Sequence, residues 1–168
     1  MKRIITTPRL FLRQFNEGDA PFLLELLNSP GWIENIGDRN IKTLHAAEQY
    51  LEENYLGSYE KQGFGFYVIE RKTDEKPLGM CGLIKREELE DVDIGFALLP
   101  QFVKKGYGFE AASATIKYAQ EELNLSKIVA ITIAKNKNSQ HLLEKIGLSF
   151  EKMIPFKGET LMLFSTEK

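Results

Sequence analysis

The chain has 168 residues, 43% of them hydrophobic and 27% charged, with a formal net charge of -2 and a sequence pI of about 5.8. This is the composition of a globular chain forming one domain over residues 1–168, and it excludes a basic nucleic-acid-binding surface. The single cysteine, Cys81, excludes an internal disulfide and gives no support to a metal site; an early polar turn argues against a signal peptide and no apolar run nears the ~20 residues of a membrane span, so a cytoplasmic protein is expected.

Residues 10–13 alternate apolar and basic side chains and predict a strand. A polar turn, Asn16-Glu17-Gly18-Asp19, follows, with Asp19 placed to cap the next helix and Pro21 in its first turn. Leu23, Leu26 and Leu27 give that helix its buried face, and Pro30-Gly31 stops it before a loop over 31–42. Thr43 caps a second helix that buries Leu44, Ala47, Leu51 and Tyr55. Three strands then occupy 64–70, 78–84 and 92–98. The second is loosened by Gly79 and Gly82. The third sets Val92, Ile94, Phe96 and Leu98 on one face and Asp93, Gly95 and Ala97 on the other. Phe109, Ala112, Ile116, Ala119 and Leu123 mark a central helix with an unbroken apolar stripe. A β-branched strand over 128–133 and a helix over 136–146 come next, the helix closed by Gly147. Two last strands, 148–153 and 160–165, are joined through Pro155 and Gly158. The order β-α-α-β-β-β-α-β-α-β-β predicts one α/β (α+β) domain with a mixed sheet. Three consecutive strands before the central helix exclude a doubly wound dinucleotide fold.

Gly106-Tyr107-Gly108 lies between a strand and the start of the central helix, beside Lys104 and Lys105. A helix start offers unpaired N–H groups and a partial positive charge, and glycine lets a phosphate approach the backbone. A plain turn would use the same residues, and the local pattern leaves both readings open. No Gly-Lys-Ser/Thr follows, so this is not a P-loop. His45 and His141 lack partner spacing for a metal or a triad and read as surface residues; Cys81, inside an apolar strand, reads as core.

Three segments carry a resemblance. They are Thr7 to Arg13 (TPRLFLR), Asp93 to Phe96 (DIGF) with Lys104 to Ala112 (KKGYGFEAA), and Asn136 to Ser139 (NKNS) with Leu142 to Leu148 (LLEKIGL). In this order and spacing, over nearly the whole chain, they resemble the GNAT superfamily of acetyl-CoA-dependent N-acetyltransferases. Within it, they resemble the branch of the RimJ and RimL ribosomal-protein N-terminal acetyltransferases. The resemblance implies a mixed, mostly antiparallel, seven-stranded sheet splayed between its fourth and fifth strands, here 92–98 and 128–133. It implies a CoA pyrophosphate held by the backbone of Val103, Lys104, Lys105, Gly106, Tyr107 and Gly108, with Val103 departing from the family's Gln or Arg. The pantetheine arm would pair with Phe96, Ala97 and Leu98 like an added strand, and Asn136 would hydrogen-bond the cofactor.

Many relatives place a tyrosine acid where this chain has Leu143, which excludes that mechanism in its simplest form. Ser139 matches the RimL-like serine and would face the thiol; read plainly, it is a helix-start hydroxyl. Asp93 matches the base position of several members and would act through water; read plainly, it is a solvent-facing charge. Glu34, Asp38, Glu151 and Glu159 compete for that role. Trp32 would touch the acceptor or plug the first helix pair. The implied function is direct acetyl transfer from acetyl-CoA to a primary amine: a protein N-terminus, a small amine or an amino-acid-like compound. The alternative is a catalytically weak acyl-CoA-binding regulatory module of the same fold. No metal and no nucleic-acid or membrane partner is expected, and open strand edges near the C-terminus would suit a homodimer.

Overall fold

The computed structural model describes residues 2–166. Its centre is one eight-stranded sheet: β1 (Arg3–Thr6), β2 (Leu10–Gln14), β3 (Phe66–Arg71), β4 (Pro77–Ile84), β5 (Val92–Leu98), β6 (Ile128–Thr132), β7 (Ser149–Phe156) and β8 (Glu159–Ser165). The spatial order is β1-β2-β3-β4-β5-β6-β8-β7. Neighbours are antiparallel except β5 and β6, which are parallel. The strand beyond the expected seven is β1. It is four residues long and half-exposed, too short to show a period, and it exists because the tight turn at Thr7–Leu10 folds it back along β2.

The helices are α1 (Ala20–Leu27), α2 (Pro30–Asn35), α3 (Leu44–Leu51), α4 (Ser58–Gln62), α5 (Tyr107–Glu121) and α6 (Lys137–Lys145). Pro30 does end α1, but it also opens α2 from its first turn, where its missing N–H is no loss. α5 packs on one face of the sheet: Cys81 Sγ lies 3.4 Å from Thr115 Oγ1, and Cys81 is paired with Phe96. α1 and α3 pack on the opposite face, where Met80, Gly82 and Ile84 stand beside Ala97, Gly95 and Asp93. Two apolar positions expected inside prove exposed. Leu44, at 47%, sits in the first turn of α3, and Phe109, at 42%, sits in α5 off the buried face that Tyr107, Ala111, Thr115 and Ala119 mark out. No helix among the described residues is long and apolar enough to cross a membrane.

A buried ionic knot ties the first helix to the sheet. Arg13 donates to both carboxylate oxygens of Asp19 at 2.8 and 2.9 Å and to Glu70 at 2.7 Å. Arg13, Asp19 and Glu70 are 3, 6 and 1% exposed. Asp19 is therefore not the side-chain cap of α1. Its carboxylate serves Arg13 and accepts from Asn16 N–H, while Asn16 caps the short turn at Glu17–Asp19. Removing one member of such a set strands the other charges, which costs about 3–5 kcal/mol.

Gly79 and Gly82 do not loosen β4; they let it close up. A Cβ on Gly79 would stand inside contact distance of the Ala97 carbonyl oxygen and 2.8 Å from Leu98 Cα, and one on Gly82 would strike the Gly65 carbonyl. Bare backbone is what fits there.

Candidate active site

β5 and β6 hold register over two pairs only, Val92 with Ile128 and Asp93 with Val129, and then part. Leu99 N–H donates to the Leu78 carbonyl at 2.9 Å. Backbone direction alternates along an antiparallel pair. Asp93, Gly95 and Ala97 thus turn their N–H and C=O toward β4, and Phe96 and Leu98 turn theirs into the gap that β6 leaves. The result is a short stretch of open strand edge in the middle of the sheet. Ala97 lies between the two with only its methyl free.

The chain then passes a short turn at Pro100–Phe102 and the exposed Val103, Lys104, Lys105 and Gly106. Lys104 has φ 62° and Gly106 has φ 84°, both left-handed. The first bond of α5 runs from Glu110 N–H to the Gly106 carbonyl at 3.0 Å. Among the described residues, the amides of Gly106, Tyr107, Gly108 and Phe109 find no acceptor. They lie at the positive end of a 15-residue helix. A Cβ on Gly106 would come within 3.1 Å of Arg9 Nη2; one on Gly108 would meet only Leu142 and Leu98 methyls at 3.5 and 3.6 Å.

α6 leans on this loop through Leu142. Asn136 caps it by accepting from Ser139 N–H at 3.2 Å. The Ser139 side chain is half-buried, and among the described residues its hydroxyl has no hydrogen-bond partner. Leu143 points into the core at 1% exposure.

Asp93 sits on the face opposite α5, at the point where β5 and β6 part. It is 2% exposed, not solvent-facing. Oδ2 accepts from Arg86 Nε at 3.1 Å, and Oδ1 is buried without a partner among the described residues. Burial pushes the carboxyl up to about 6, against the pull of Arg86. The Arg86 guanidinium lies 5.6 Å over the Phe156 ring. Ile84, the neighbour of Asp93 on β4, is two residues before Arg86; nothing in the local pattern around Arg86 marks it as that partner, because the contact is made by the β4–β5 connection doubling back.

Trp32 is in the main core at 5% exposure, with Nε1 unpartnered. Its helix, α2, reaches the far side of the gap, where Glu34 lies 3.7 Å from Lys135. Asp38 is exposed and paired with Lys42 at 3.2 Å, Glu151 is exposed and 3.3 Å from Lys127, and Glu159 is exposed. Of the competing acids, Asp93 alone is buried beside the gap. His45 and His141 are exposed. Cys81 is fully buried, and burial pushes its thiol up to about 12, so it is no nucleophile at neutral pH.

Residues 9–149 match the acetyltransferase (GNAT) domain family. The chain belongs to the GNAT acetyltransferases. It is 30% identical over 159 residues to the N-acetyltransferase YnaD of Bacillus subtilis, covering 92% of this chain and 90% of that one. It is 31% identical over 100 residues to the [ribosomal protein uS5]-alanine N-acetyltransferase of Escherichia coli, covering 58% of this chain and 50% of that one. A RimL ribosomal L7/L12 alpha-N-protein acetyltransferase in complex with coenzyme A superposes with a TM-score of 0.82 at 15% identity, covering 98% of this chain and 97% of that one. This GNAT domain is thus an acetyl-CoA-dependent acetyltransferase resembling the RimJ/RimL branch. Its geometry fits the co-substrate: unpaired amides suit a pyrophosphate, and the open edge of β5 suits an extended amide-bearing arm.

Proposed function

We propose that the protein transfers an acetyl group directly from acetyl-CoA to a primary amine. Val103, Lys104, Lys105, Gly106, Tyr107 and Gly108 hold the pyrophosphate. Phe96 and Leu98 pair with the pantetheine arm, with Ala97 in contact beside them, and Asn136 binds from the start of α6. When bound, the co-substrate supplies an acetyl thioester open to attack by nitrogen. The observation that carries this reading is the coincidence of the unpaired amides with the open β5 edge, both within one short stretch of chain.

Ser139 presents a free hydroxyl beside the loop and donates a hydrogen bond to the departing sulfur. Asp93 takes the proton of the incoming amine through water, its Oδ1 being the acceptor with no partner of its own. A carboxyl held near 6 is basic enough to accept a proton and still ionised at neutral pH. Trp32 shapes the acceptor side from α2. Much of the rate comes from holding amine and thioester in line.

Protein N-termini head the acceptor panel, because the Escherichia coli relative is named for acting on a ribosomal protein. Small amines and amino acids follow, scored by the mass shift of one acetyl group. Wild type acetylates at least one class, and Ser139→Ala lowers kcat by ~100-fold with CoA affinity kept. Full activity in Ser139→Ala removes the serine from the mechanism. CoA binding without transfer across the panel points to the regulatory-module reading. The outer strand β7, with Phe150 and Met153 at 50 and 46% exposure, is the edge through which a homodimer would pair, and sedimentation reads that state.

A further inference from the structure

The turn between β1 and β2 is fastened to the glycine loop by more contacts than a hairpin needs. Arg9 donates from Nε to Glu110 Oε1 at 2.7 Å and from its backbone N–H to Glu110 Oε2 at 2.9 Å. Thr7, buried, donates its hydroxyl to the same Oε2 at 2.5 Å. The Arg9 carbonyl accepts from Lys72 N–H at 3.0 Å, so its backbone is held on both sides. The guanidinium then lies across the loop. Nη1 donates to the Lys105 carbonyl at 3.1 Å, and Cζ sits 4.4 Å over the Tyr107 ring. Nη2 lies beside Gly106 and, among the described residues, has no acceptor.

From these contacts we infer that Arg9 belongs to the pyrophosphate site. By holding the Lys105 carbonyl it turns that peptide's oxygen away from the anion and leaves the following amides facing outward. Its unused Nη2 adds a charged donor at the lip of the loop. Glu110 is the pin: it neutralises the far side of the guanidinium and fixes its rotamer, so little freedom remains to be lost on binding. The Tyr107 ring beneath adds a cation–π contact. Lys104 and Lys105, exposed, carry charge to the same region without being held. The position is thereby distinguished from an ordinary surface arginine, which would be solvated and mobile.

This rests on residues 103–108 being the CoA loop, and the test separates the two claims. CoA and pantetheine, which lacks the pyrophosphate and nucleotide, are titrated by calorimetry and NMR into wild type, Arg9→Ala, Arg9→Lys and Glu110→Gln, with melting curves for each. Arg9→Ala is expected to weaken CoA by about tenfold or more while pantetheine stays within about twofold. Arg9→Lys keeps a charge but not the fork, and is expected to recover only part of the loss; Glu110→Gln, which frees the guanidinium, weakens CoA without touching the loop sequence. Unchanged CoA affinity in a folded Arg9→Ala overturns the inference. So does an equal loss of CoA and pantetheine, which marks a general structural role. A wild type that binds the two ligands alike overturns the loop reading itself.

Discussion

Gly106 holds a φ of 84° that an L-residue reaches at a cost of about 1–2 kcal/mol, and a methyl there would press on Arg9 Nη2. Gly108 has no such φ, and a methyl would meet only ordinary contacts with Leu142 and Leu98. Gly106→Ala is therefore expected to weaken CoA by about tenfold, and Gly108→Ala to change it by less than about threefold; calorimetric titration decides. Asp93 makes a prediction of opposite sign to most paired carboxylates. Its carboxyl is raised to about 6 from an ordinary value of 3.8, so between these pH values the native state holds a proton that the unfolded chain has lost. Stability from this group is present below pH 4 and declines as pH rises to 6. The stability of Asp93→Asn minus that of wild type should thus grow by roughly 1–3 kcal/mol across that window and level off above it; a flat difference in denaturation midpoints would show that burial does not raise the carboxyl. In the same variant the acid limb of the kcat/KM profile, near pH 6, should vanish.

At the scale of elements, the site depends on two strands that start together and then separate. β5 stays paired with β4 to Leu98, while its pairing with β6 ends at Asp93. Gly79 permits the pairing with β4 by admitting the Ala97 carbonyl and Leu98 Cα to the space a Cβ would take. Gly79→Ala is expected to push the Phe96–Leu98 edge outward, cost about 1–3 kcal/mol in unfolding free energy, and weaken pantetheine and CoA alike. That pattern differs from the Arg9 variants, where only CoA should suffer. α6 closes the other side, carrying Asn136 and Ser139 to the loop through the contact of Leu142 with the Gly108 region. Pinning by Arg13, Asp19 and Glu70 holds the start of α1 against the sheet.

Across the whole molecule, what could be read in the sequence was what period and punctuation encode. The stripe of α5, the β-branched run of β6, the alternation of β5 and the stops at Gly147 and Pro30 all reappear as elements. The GNAT family, its splayed sheet and its co-substrate followed from motif order. What could not be read was set by side-chain contacts that only the folded chain makes, whether 6 residues apart, as Arg13 and Asp19, or 101, as Arg9 and Glu110. Asp19 looked like a cap because capping is local, and its true partner on β2 is a tertiary fact. Asp93 looked solvent-facing because alternation says which face a residue takes, not what meets it there; Arg86, from the β4–β5 connection, does. Arg9 gave no sign of a role, since its partners Lys105 and Glu110 are about a hundred residues away. Phe109 broke the expected stripe because the buried face of α5 runs through Tyr107, Ala111, Thr115 and Ala119, and Phe109 falls at its edge, under Lys145.

We propose that CoA lies along the open edge of β5 with its pyrophosphate on the amides that open α5. An amide-resolved NMR titration with CoA tests it most directly. The amides of Gly106, Tyr107, Gly108 and Phe109 should shift together with those of Phe96 and Leu98, while Gly95 and Ala97, bonded into β4, move less. Saturable shifts that leave the loop and the edge unmoved, and gather instead elsewhere on the surface, would contradict it.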